Sequence, residues 1–148
     1  MNIVGYSYDA DVHCVSCTFE YARKVAEELN LFPDFYPSES DIEDAMNKDR
    51  IKDSESNCLH PIFDIDEAGD TPEHCSDCGT FIDNSWNGET MNYAYEALQE
   101  YILTGRGNEE ALDAWADNLH WCGGETEDQS DTLATYELLR KKERDGKA

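Results

Sequence analysis

Two Cys-x-x-Cys pairs, each preceded by a histidine, are the residues of this 148-residue chain whose types and spacing most clearly indicate chemistry. One pair is Cys14 and Cys17, and the other is Cys75 and Cys78, followed directly by Gly79. The two-residue gap lets both sulfurs of a pair face one metal ion, and Gly79 suits the positive φ of such a turn. We therefore predict one structural Zn²⁺ ion bound by Cys14, Cys17, Cys75 and Cys78.

Other uses of these pairs are weaker interpretations. A redox Cys-x-x-Cys usually lies in a βαβ unit, and neither pair has a clear one. A catalytic zinc keeps three protein ligands and an open position, whereas four cysteines leave none. His13 or His74 could each replace a cysteine, but a histidine beside a ligand is more often exposed or hydrogen-bonded next to the site. In a reducing cytoplasm, six cysteines also indicate ligands and buried thiols rather than disulfides.

The remaining cysteines leave a second site open. Cys58 and His60, together with His120 and Cys122, form a Cys-x-His and a His-x-Cys that could each offer two ligands to a second metal ion. The alternative is that the cysteines are buried thiols and the histidines ordinary side chains. The chain has no Ser-His-Asp order, glycine-rich phosphate loop or His-Glu-x-x-His helix. We predict that it is not an enzyme and has no catalytic residues, with a metal-dependent enzyme as an alternative.

A strand and a helix must position the first cysteine pair. Alternating apolar residues predict a strand over Ile3 to Tyr8, and apolar residues from Phe19 to Leu29 at helical spacing place Cys17 at the start of a helix. A helix N-terminus favours a thiolate. We interpret Pro33 to Asn57 as an acidic surface excursion with one short helix. Pro61 to Ile65 is a second predicted strand.

The second half of the sequence predicts three helices. The first has an apolar stripe from Met91 to Ile102 and ends at Gly105. The second begins after the N-cap Asn108 and ends at Gly123-Gly124, and the third begins near Asp128 to Asp131. The apolar positions predicted to be buried in the last two helices are Leu112, Trp115, Ala116, Leu119, Leu133, Tyr136 and Leu139.

These elements indicate a single α+β domain over residues 1–148. Residues 1–83 form a zinc-bound α+β half with an acidic insertion at about 31–57, and residues 88–144 form a helical half. A chain of this length buries one modest core, which a metal ion would reinforce. One cysteine pair in a turn and one at a helix start predict a treble-clef or zinc-ribbon-like site with its two parts in reversed order.

The charge is the second informative feature. A net charge of −23, from 34 acidic and 11 basic residues, excludes ordinary nucleic-acid binding through phosphate neutralisation. Glu109, Asp113 and Asp117 recur every four residues on one predicted helix, and Glu96 and Glu100 do so on the preceding one. Such rows resemble a phosphate backbone. We predict that they bind a basic protein surface. The most specific version of this prediction is a DNA mimic that inhibits a nucleic-acid-binding defence or regulatory protein.

Two alternatives explain the charged residues differently. The acidic side chains form a solvated surface suited to solubility or to a high-salt cytoplasm, or the chain is a nucleic-acid-binding zinc ribbon that uses the basic residues from Arg140 to Lys147. A membrane partner is not expected. Residues 1–6 lack the charge and hydropathy of a signal peptide, and no later run is long enough to cross a bilayer, so we expect a cytoplasmic protein.

The order of the motifs carries a resemblance. Tyr-x-x-Asp-Ala-Asp-x-x-Cys-x-x-Cys, starting at Tyr6, is followed by residues 53–57, His60-Pro61-Ile62-Phe63, Asp66-Glu67, the second cysteine pair and Thr104-Gly105-Arg106-Gly107-Asn108. This order resembles a group of small proteins with two Cys-x-x-Cys pairs that tailed phages and haloarchaeal viruses encode, and the likeness covers most of the chain. The resemblance implies a viral accessory protein that acts inside a prokaryotic host cell.

Overall fold

A computed structural model describes residues 1–122 and 126–146, which form three strands and five helices and confirm the α+β class. The strands are β1 (Ile3–Tyr8), β2 (Asp11–Cys14) and β3 (His60–Phe63). The helices are α1 (Val15–Glu28), α2 (Glu39–Asn47), α3 (Gly88–Thr104), α4 (Glu109–Cys122) and α5 (Glu127–Gly146). Within the described residues, no helix has the length and apolar character needed to cross a membrane.

The described residues divide into two compact units. The first unit contains residues 1–66 and 73–84, and the second contains residues 67–72, 85–122 and 126–146. Both Cys-x-x-Cys pairs lie in the first unit. The predicted acidic rows lie in the second unit.

The first unit is built on an antiparallel sheet with the strand order β2-β1-β3. β1 matches the strand predicted there, whereas β2 is absent from the sequence-based prediction. The residues that connect them, Asp9 and Ala10, adopt positive φ values of 50° and 60°. This conformation suits a two-residue hairpin turn, but it is uncommon for a residue such as alanine. The residue types therefore do not predict the turn. The hairpin places Gly5 opposite Cys14, at the end of β2.

Helix α2 confirms the short helix predicted within residues 33–57, but its buried face corrects the interpretation of the segment as a surface excursion. It buries Ile42, Ala45 and Met46 on one face, and its acidic residues occupy the other. Ser38 begins the helix with a capping box to Asp41. The core of this unit unites the sheet with α1 and α2. Its buried members are Tyr6, Tyr8, Ala22, Ala26, Ile42, Ala45, Met46, Ile51 and Leu59.

The three helices predicted for the second half are present in the second unit. Helix α3 ends at Gly105, whose φ of 73° confirms the predicted C-cap. Asn108 accepts a hydrogen bond from the backbone N–H of Ala111 and confirms the predicted N-cap of α4. The predicted end of this helix at Gly123-Gly124 lies outside the described residues. Helix α5 begins at Glu127, one residue before the predicted range.

Burial in α4 and α5 follows the predicted stripes with one important difference. Leu112, Ala116 and Leu119 are buried in α4, and Leu133 and Tyr136 are buried in α5. Trp115 and Leu139 are only partly buried. The third buried residue of α5 is Arg140, the first residue of the basic segment that the nucleic-acid-binding alternative uses.

Candidate metal centre

The first cysteine pair lies where β2 passes directly into α1. Cys14 is both the last residue of β2 and the N-cap of α1, and its Sγ accepts a hydrogen bond from the backbone N–H of Cys17 at 3.4 Å. Thr18 donates to the carbonyl oxygen of Cys14 at 2.8 Å and fixes this junction. Both sulfurs are therefore at the positive end of the helix dipole, where thiolates are favoured; this position was predicted for Cys17.

The second pair lies in a tight turn between two short extended segments. His74 and Phe81 form an antiparallel bridge, and the backbone N–H of Cys75 donates to the carbonyl oxygen of Thr80 at 2.7 Å. The N–H of Gly79 donates to the carbonyl oxygen of Cys75 at 2.9 Å, and Gly79 has the predicted positive φ of 80°. This geometry directs the sulfurs of Cys75 and Cys78 to one side of the turn.

The four sulfurs converge. All four Sγ atoms lie within 4.8 Å of one another, and all six cysteines of the chain are free thiols. The Sγ atoms of Cys14 and Cys78 are 3.7 Å apart. Four sulfurs placed tetrahedrally at about 2.3 Å from a Zn²⁺ ion are about 3.8 Å from each other, so this separation matches one edge of a metal tetrahedron. The cluster thus fits a metal site formed by the four predicted cysteines.

Contacts outside the sulfur cluster attach the cysteine turn to the hairpin. The backbone N–H of Ser76 donates to the carbonyl oxygen of Val12 at 2.9 Å. His13 is buried; its Nδ1 lies 2.8 Å from Oδ2 of Asp77, and its Nε2 donates to the carbonyl oxygen of Tyr8 at 3.0 Å. The imidazole also stacks on the Tyr8 ring, with the ring centroids 3.7 Å apart.

His13 therefore serves beside the metal cluster rather than in it. Its Nδ1, the Cys75 sulfur and an Asp77 oxygen do lie within 4.8 Å of one another, but that group shares Cys75 with the four-cysteine cluster. His74 contacts the carbonyl oxygen of Gly79 through Nδ1, at 2.8 Å. Asp77 and Ser76 were not among the predicted site residues. Their positions inside the second Cys-x-x-Cys were the only available signal.

The electrostatics of the cluster favour the Cys78 thiolate and oppose the thiolates of Cys14 and Cys17. Hydrogen bonding to Thr80, whose Oγ1 lies 3.0 Å from the Cys78 sulfur, lowers the pKa of Cys78 to about 6. Burial raises the pKa of Cys14, and the contact with Cys14 together with desolvation raises the pKa of Cys17. The Cys78 sulfur therefore ionises readily, whereas Cys14 and Cys17 require a nearby cation before they lose their protons. A divalent metal ion supplies that charge.

The optional second metal site would join Cys58 and His60 of the first unit to His120 and Cys122 of the second unit, and it stays a prediction. Among residues 1–122 and 126–146, groups of three or more closely spaced potential ligands occur only at the cysteine pairs and around His13. Cys58 contacts Lys52, His120 contacts Glu137, and Cys122 lies 3.8 Å from Nδ2 of Asn118. His60 is exposed on β3.

The acidic row of α4 is partly engaged by the chain itself. Arg140 approaches Asp113 with two nitrogens, Nε to Oδ1 at 3.0 Å and Nη2 to Oδ2 at 3.1 Å, and its Nη1 lies 3.2 Å from Glu109. Glu143 contacts the same Nη1 at 2.6 Å, and the Arg140 side chain is only 10% exposed. Asp117 is exposed and is not one of the carboxylates that pair with Arg140 in this network. Two of the three carboxylates in the predicted row therefore face a buried arginine.

Two tyrosines complete the network. Tyr136 donates to Oδ1 of Asp113 at 2.7 Å, and Tyr101 donates to Glu109 and Glu143. Burial would raise the pKa of Asp113, but hydrogen bonds from Arg140 and Tyr136 outweigh it, and the pKa lies below the usual aspartate value. Burial and these carboxylates raise the pKa of Tyr101 to about 12.

The position of Arg140 was readable from the sequence in principle. It stands seven residues after Leu133 and four after Tyr136, on the same helical face as both. In contrast, Glu96 and Glu100 remain exposed on α3, as the acidic-surface prediction requires. No protein-family model, no curated protein and no solved structure matches this chain.

Proposed function

We propose that the chain is a non-enzymatic binding protein whose first unit is held together by one structural Zn²⁺ ion. The observation that carries this proposal is the cluster of four cysteine sulfurs, two from the junction of β2 and α1 and two from the separate cysteine turn, at separations that suit a tetrahedral ion. Zinc is the metal that a closed four-thiolate set favours. The hairpin, the helix-start pair and the separate cysteine turn support a treble-clef-like site in reversed order.

The closed ligand set argues against a metal-dependent enzyme. A catalytic zinc polarises a water or substrate at a position that protein ligands leave open, and four cysteines fill the tetrahedron. The ring nitrogens of His13, which directly precedes Cys14, contact Asp77 and the carbonyl oxygen of Tyr8. In this proposal the metal stabilises the fold, and the activity of the protein is recognition.

The proposed partner is a host or viral protein with a basic surface. The charge of −23 attracts such a surface over distance and accelerates association. The exposed carboxylates of Glu96, Glu100 and Asp117 are available to it, whereas Glu109 and Asp113 are partly committed to Arg140. In the most specific form of this proposal, the protein mimics DNA. The motif resemblance supports a role as an accessory protein in a virus-infected prokaryotic cell.

Arg140 disfavours the nucleic-acid-binding alternative. That alternative needs the basic residues of α5 to face a phosphate backbone, but Arg140 is buried and surrounded by three carboxylates. Removing it from this network would leave those carboxylates without their cation. We therefore propose protein recognition rather than direct nucleic-acid binding.

A competition experiment tests this proposal. The immobilised protein is incubated with a lysate of a prokaryotic host at low and at high salt, and retained proteins are then challenged with duplex DNA. We expect a basic DNA-binding protein that is retained at low salt, released at high salt and displaced by DNA. The double variant Glu96→Gln/Glu100→Gln should retain several-fold less of it.

A charge-matched variant provides the control. Glu28→Gln/Glu55→Gln removes the same charge from exposed positions of the first unit and should retain the partner almost normally. Equal losses in the two variants would mean that only total charge matters. Direct binding of the purified chain to duplex DNA at physiological salt would contradict mimicry.

A further inference from the structure

Lys52 and Cys58 form a second thiol-based feature, separate from the metal cluster. They are opposite each other in an isolated antiparallel bridge, and Nζ of Lys52 lies 3.1 Å from Sγ of Cys58. Both side chains are partly exposed, so small solutes reach them. A primary amine and a thiol are thus in contact at the base of the turn over residues 53–57.

The backbone around this pair is held by a dense set of hydrogen bonds. The carboxylate of Asp53 accepts from the backbone N–H groups of Asp9, Glu55 and Asn57 at 2.8 to 2.9 Å. The hydroxyl of Tyr21 donates to the carbonyl oxygen of Lys52 at 2.9 Å. Two reactive groups on so constrained a turn behave as if they were at high local concentration.

The charge of the pair suits thiol chemistry. The positive charge of the Lys52 ammonium group lies 3.1 Å from the Cys58 sulfur. The hydrogen bond to Cys58 in turn raises the pKa of Lys52. The chain has 34 acidic and 11 basic residues. By chance alone, the charged neighbour of a cysteine would therefore far more often be a carboxylate than a lysine.

We propose that Lys52 and Cys58 form a reversible covalent sulfur–nitrogen link when a peroxide oxidises Cys58. In the first step the thiolate attacks hydrogen peroxide, an S–O bond forms, the O–O bond breaks, and the leaving oxygen departs as water after taking up a proton. The sulfur is oxidised by two electrons to a sulfenic acid, and the peroxide is reduced.

The second step uses the neighbouring amine. After deprotonation to solvent, Nζ of Lys52 attacks the sulfenic sulfur, an S–N bond forms, and the hydroxyl group leaves as water with a proton. The product has two hydrogen atoms fewer than the reduced pair. Excess thiol reverses the link, because a thiolate attacks the sulfur, the amine departs protonated, and a second thiol completes a disulfide of the reductant.

Peptide mapping tests the link directly. The zinc-loaded full chain is treated with hydrogen peroxide, its free thiols are alkylated, and trypsin is added. Trypsin does not cut after an amine-modified lysine, so we expect loss of cleavage after Lys52. A peptide from Ile51 to Arg106 should appear, two hydrogen atoms lighter than the unlinked peptide, and dithiothreitol added before alkylation should restore cleavage.

Three variants make the result specific. Lys52→Arg keeps a cation beside the sulfur but has no primary amine, so Cys58 should stop at the sulfenic acid, which a dimedone probe traps. Cys58→Ser should retain normal cleavage after Lys52 in peroxide. Lys48→Arg, which alters a lysine paired with Asp44, should form the link like the unmodified chain. Unchanged cleavage after Lys52, with or without oxygen added to Cys58, would overturn the proposal, as would a link that persists in Cys58→Ser.

Discussion

At the scale of single residues, the four cysteines of the cluster differ in how readily they ionise. Thr80 stabilises the Cys78 thiolate, whereas Cys14 and Cys17 resist deprotonation near another sulfur. A metal ion removes this conflict because it neutralises the sulfurs together. The free energy of binding a metal ion at these sulfurs would therefore contribute directly to folding of the first unit.

The double variant Cys75→Ser/Cys78→Ser tests this contribution. We expect one zinc per chain in the unmodified protein purified without chelator, and none in the variant. Structural zinc contributes about 10–16 kcal/mol in small metal-bound domains, which is comparable to the whole stability of a typical domain. The first unit should therefore unfold in the variant, as measured by metal analysis and thermal melting. Cys122→Ser should retain the metal, and a zinc-free wild-type chain would contradict the assignment.

The Arg140 network changes the expected effect of the acidic row on stability. From the sequence alone, neutralising Glu109, Asp113 and Asp117 is expected to relieve like-charge repulsion and leave the fold intact or slightly more stable. The structure reverses that expectation for Asp113, because its carboxylate pairs with Arg140 through two nitrogens. Removing it leaves a largely buried guanidinium without its main partner.

Asp113→Asn and Asp117→Asn form a matched pair on one helix. Asp113→Asn should lower the free energy of unfolding by about 2–3 kcal/mol, since it weakens charged hydrogen bonds to Arg140 and Tyr136. Asp117→Asn, four residues further on and exposed, should change it by less than about 0.5 kcal/mol. Urea denaturation of both variants measures the difference. Equal effects would mean that the network contributes nothing beyond surface charge.

The same pair predicts a pH dependence. The pKa of Asp113 is lower in the folded chain, so its ionised form contributes stability above the unfolded aspartate pKa of about 3.9. This contribution should disappear as the pH falls through the folded pKa. The difference in unfolding free energy between the wild type and Asp113→Asn should therefore be constant near neutral pH and shrink in acid. A difference that grows on acidification would contradict the sign of the shift.

At the scale of elements, the β1–β2 hairpin connects the sheet to the metal cluster. Gly5 in β1 is opposite Cys14 in β2, and a Cβ atom on Gly5 would lie 2.7 Å from the backbone carbonyl oxygen of His13. A methyl group there must push the two strands apart. The displaced strand would move the ligand Cys14 with it.

Gly5→Ala should therefore destabilise the first unit and weaken metal binding together. We expect a loss of about 1–3 kcal/mol in unfolding free energy, the usual cost of overpacking, and faster zinc release to a chromogenic chelator. Gly69→Ala is the control, since its added methyl group meets no heavy atom within 4 Å. Normal zinc release in Gly5→Ala would show that the hairpin does not position the ligand.

Periodicity and capping residues predicted the long helices well. Asn108 and Gly105 have the chemistry that begins and ends helices, so the sequence alone locates these ends. Strand β2 escaped prediction because it follows a turn whose positive φ values belong to Asp9 and Ala10. The buried face of helix α2 was not predicted, because its apolar residues form a narrow stripe and alternate in sequence with acidic ones.

The predictability of the functional groups follows the same division between local and long-range contacts. The spacing of Cys14 and Cys17 is a local pattern, and so is that of Cys75 and Cys78, so the four-sulfur cluster was predictable. The pairing of Asp113 with Arg140 joins positions 27 residues apart. The two positions come together because α4 and α5 both pack on α3, and no spacing rule predicts such a contact.

At the scale of the whole molecule, the chain has a net charge of −23, because its acidic residues far outnumber the basic residues that could neutralise them. Like charges on a compact chain repel one another, and dissolved salt screens that repulsion. The Debye length falls from about 30 Å at 0.01 M salt to about 8 Å at 0.15 M. Salt should therefore stabilise this protein while it weakens binding to a basic partner.

The salt range over which stability rises separates the two explanations of the charge. If the acidic surface serves recognition, the thermal midpoint should rise up to about 0.15 M sodium chloride and then level off, since screening is then nearly complete. Each kcal/mol of screened repulsion should raise it by about 2–4 °C. Sodium sulfate at equal ionic strength is the control for solute exclusion. A midpoint that keeps rising into molar sodium chloride would instead indicate a surface adapted to high salt, and partner binding that survives 1 M salt would contradict electrostatic recognition.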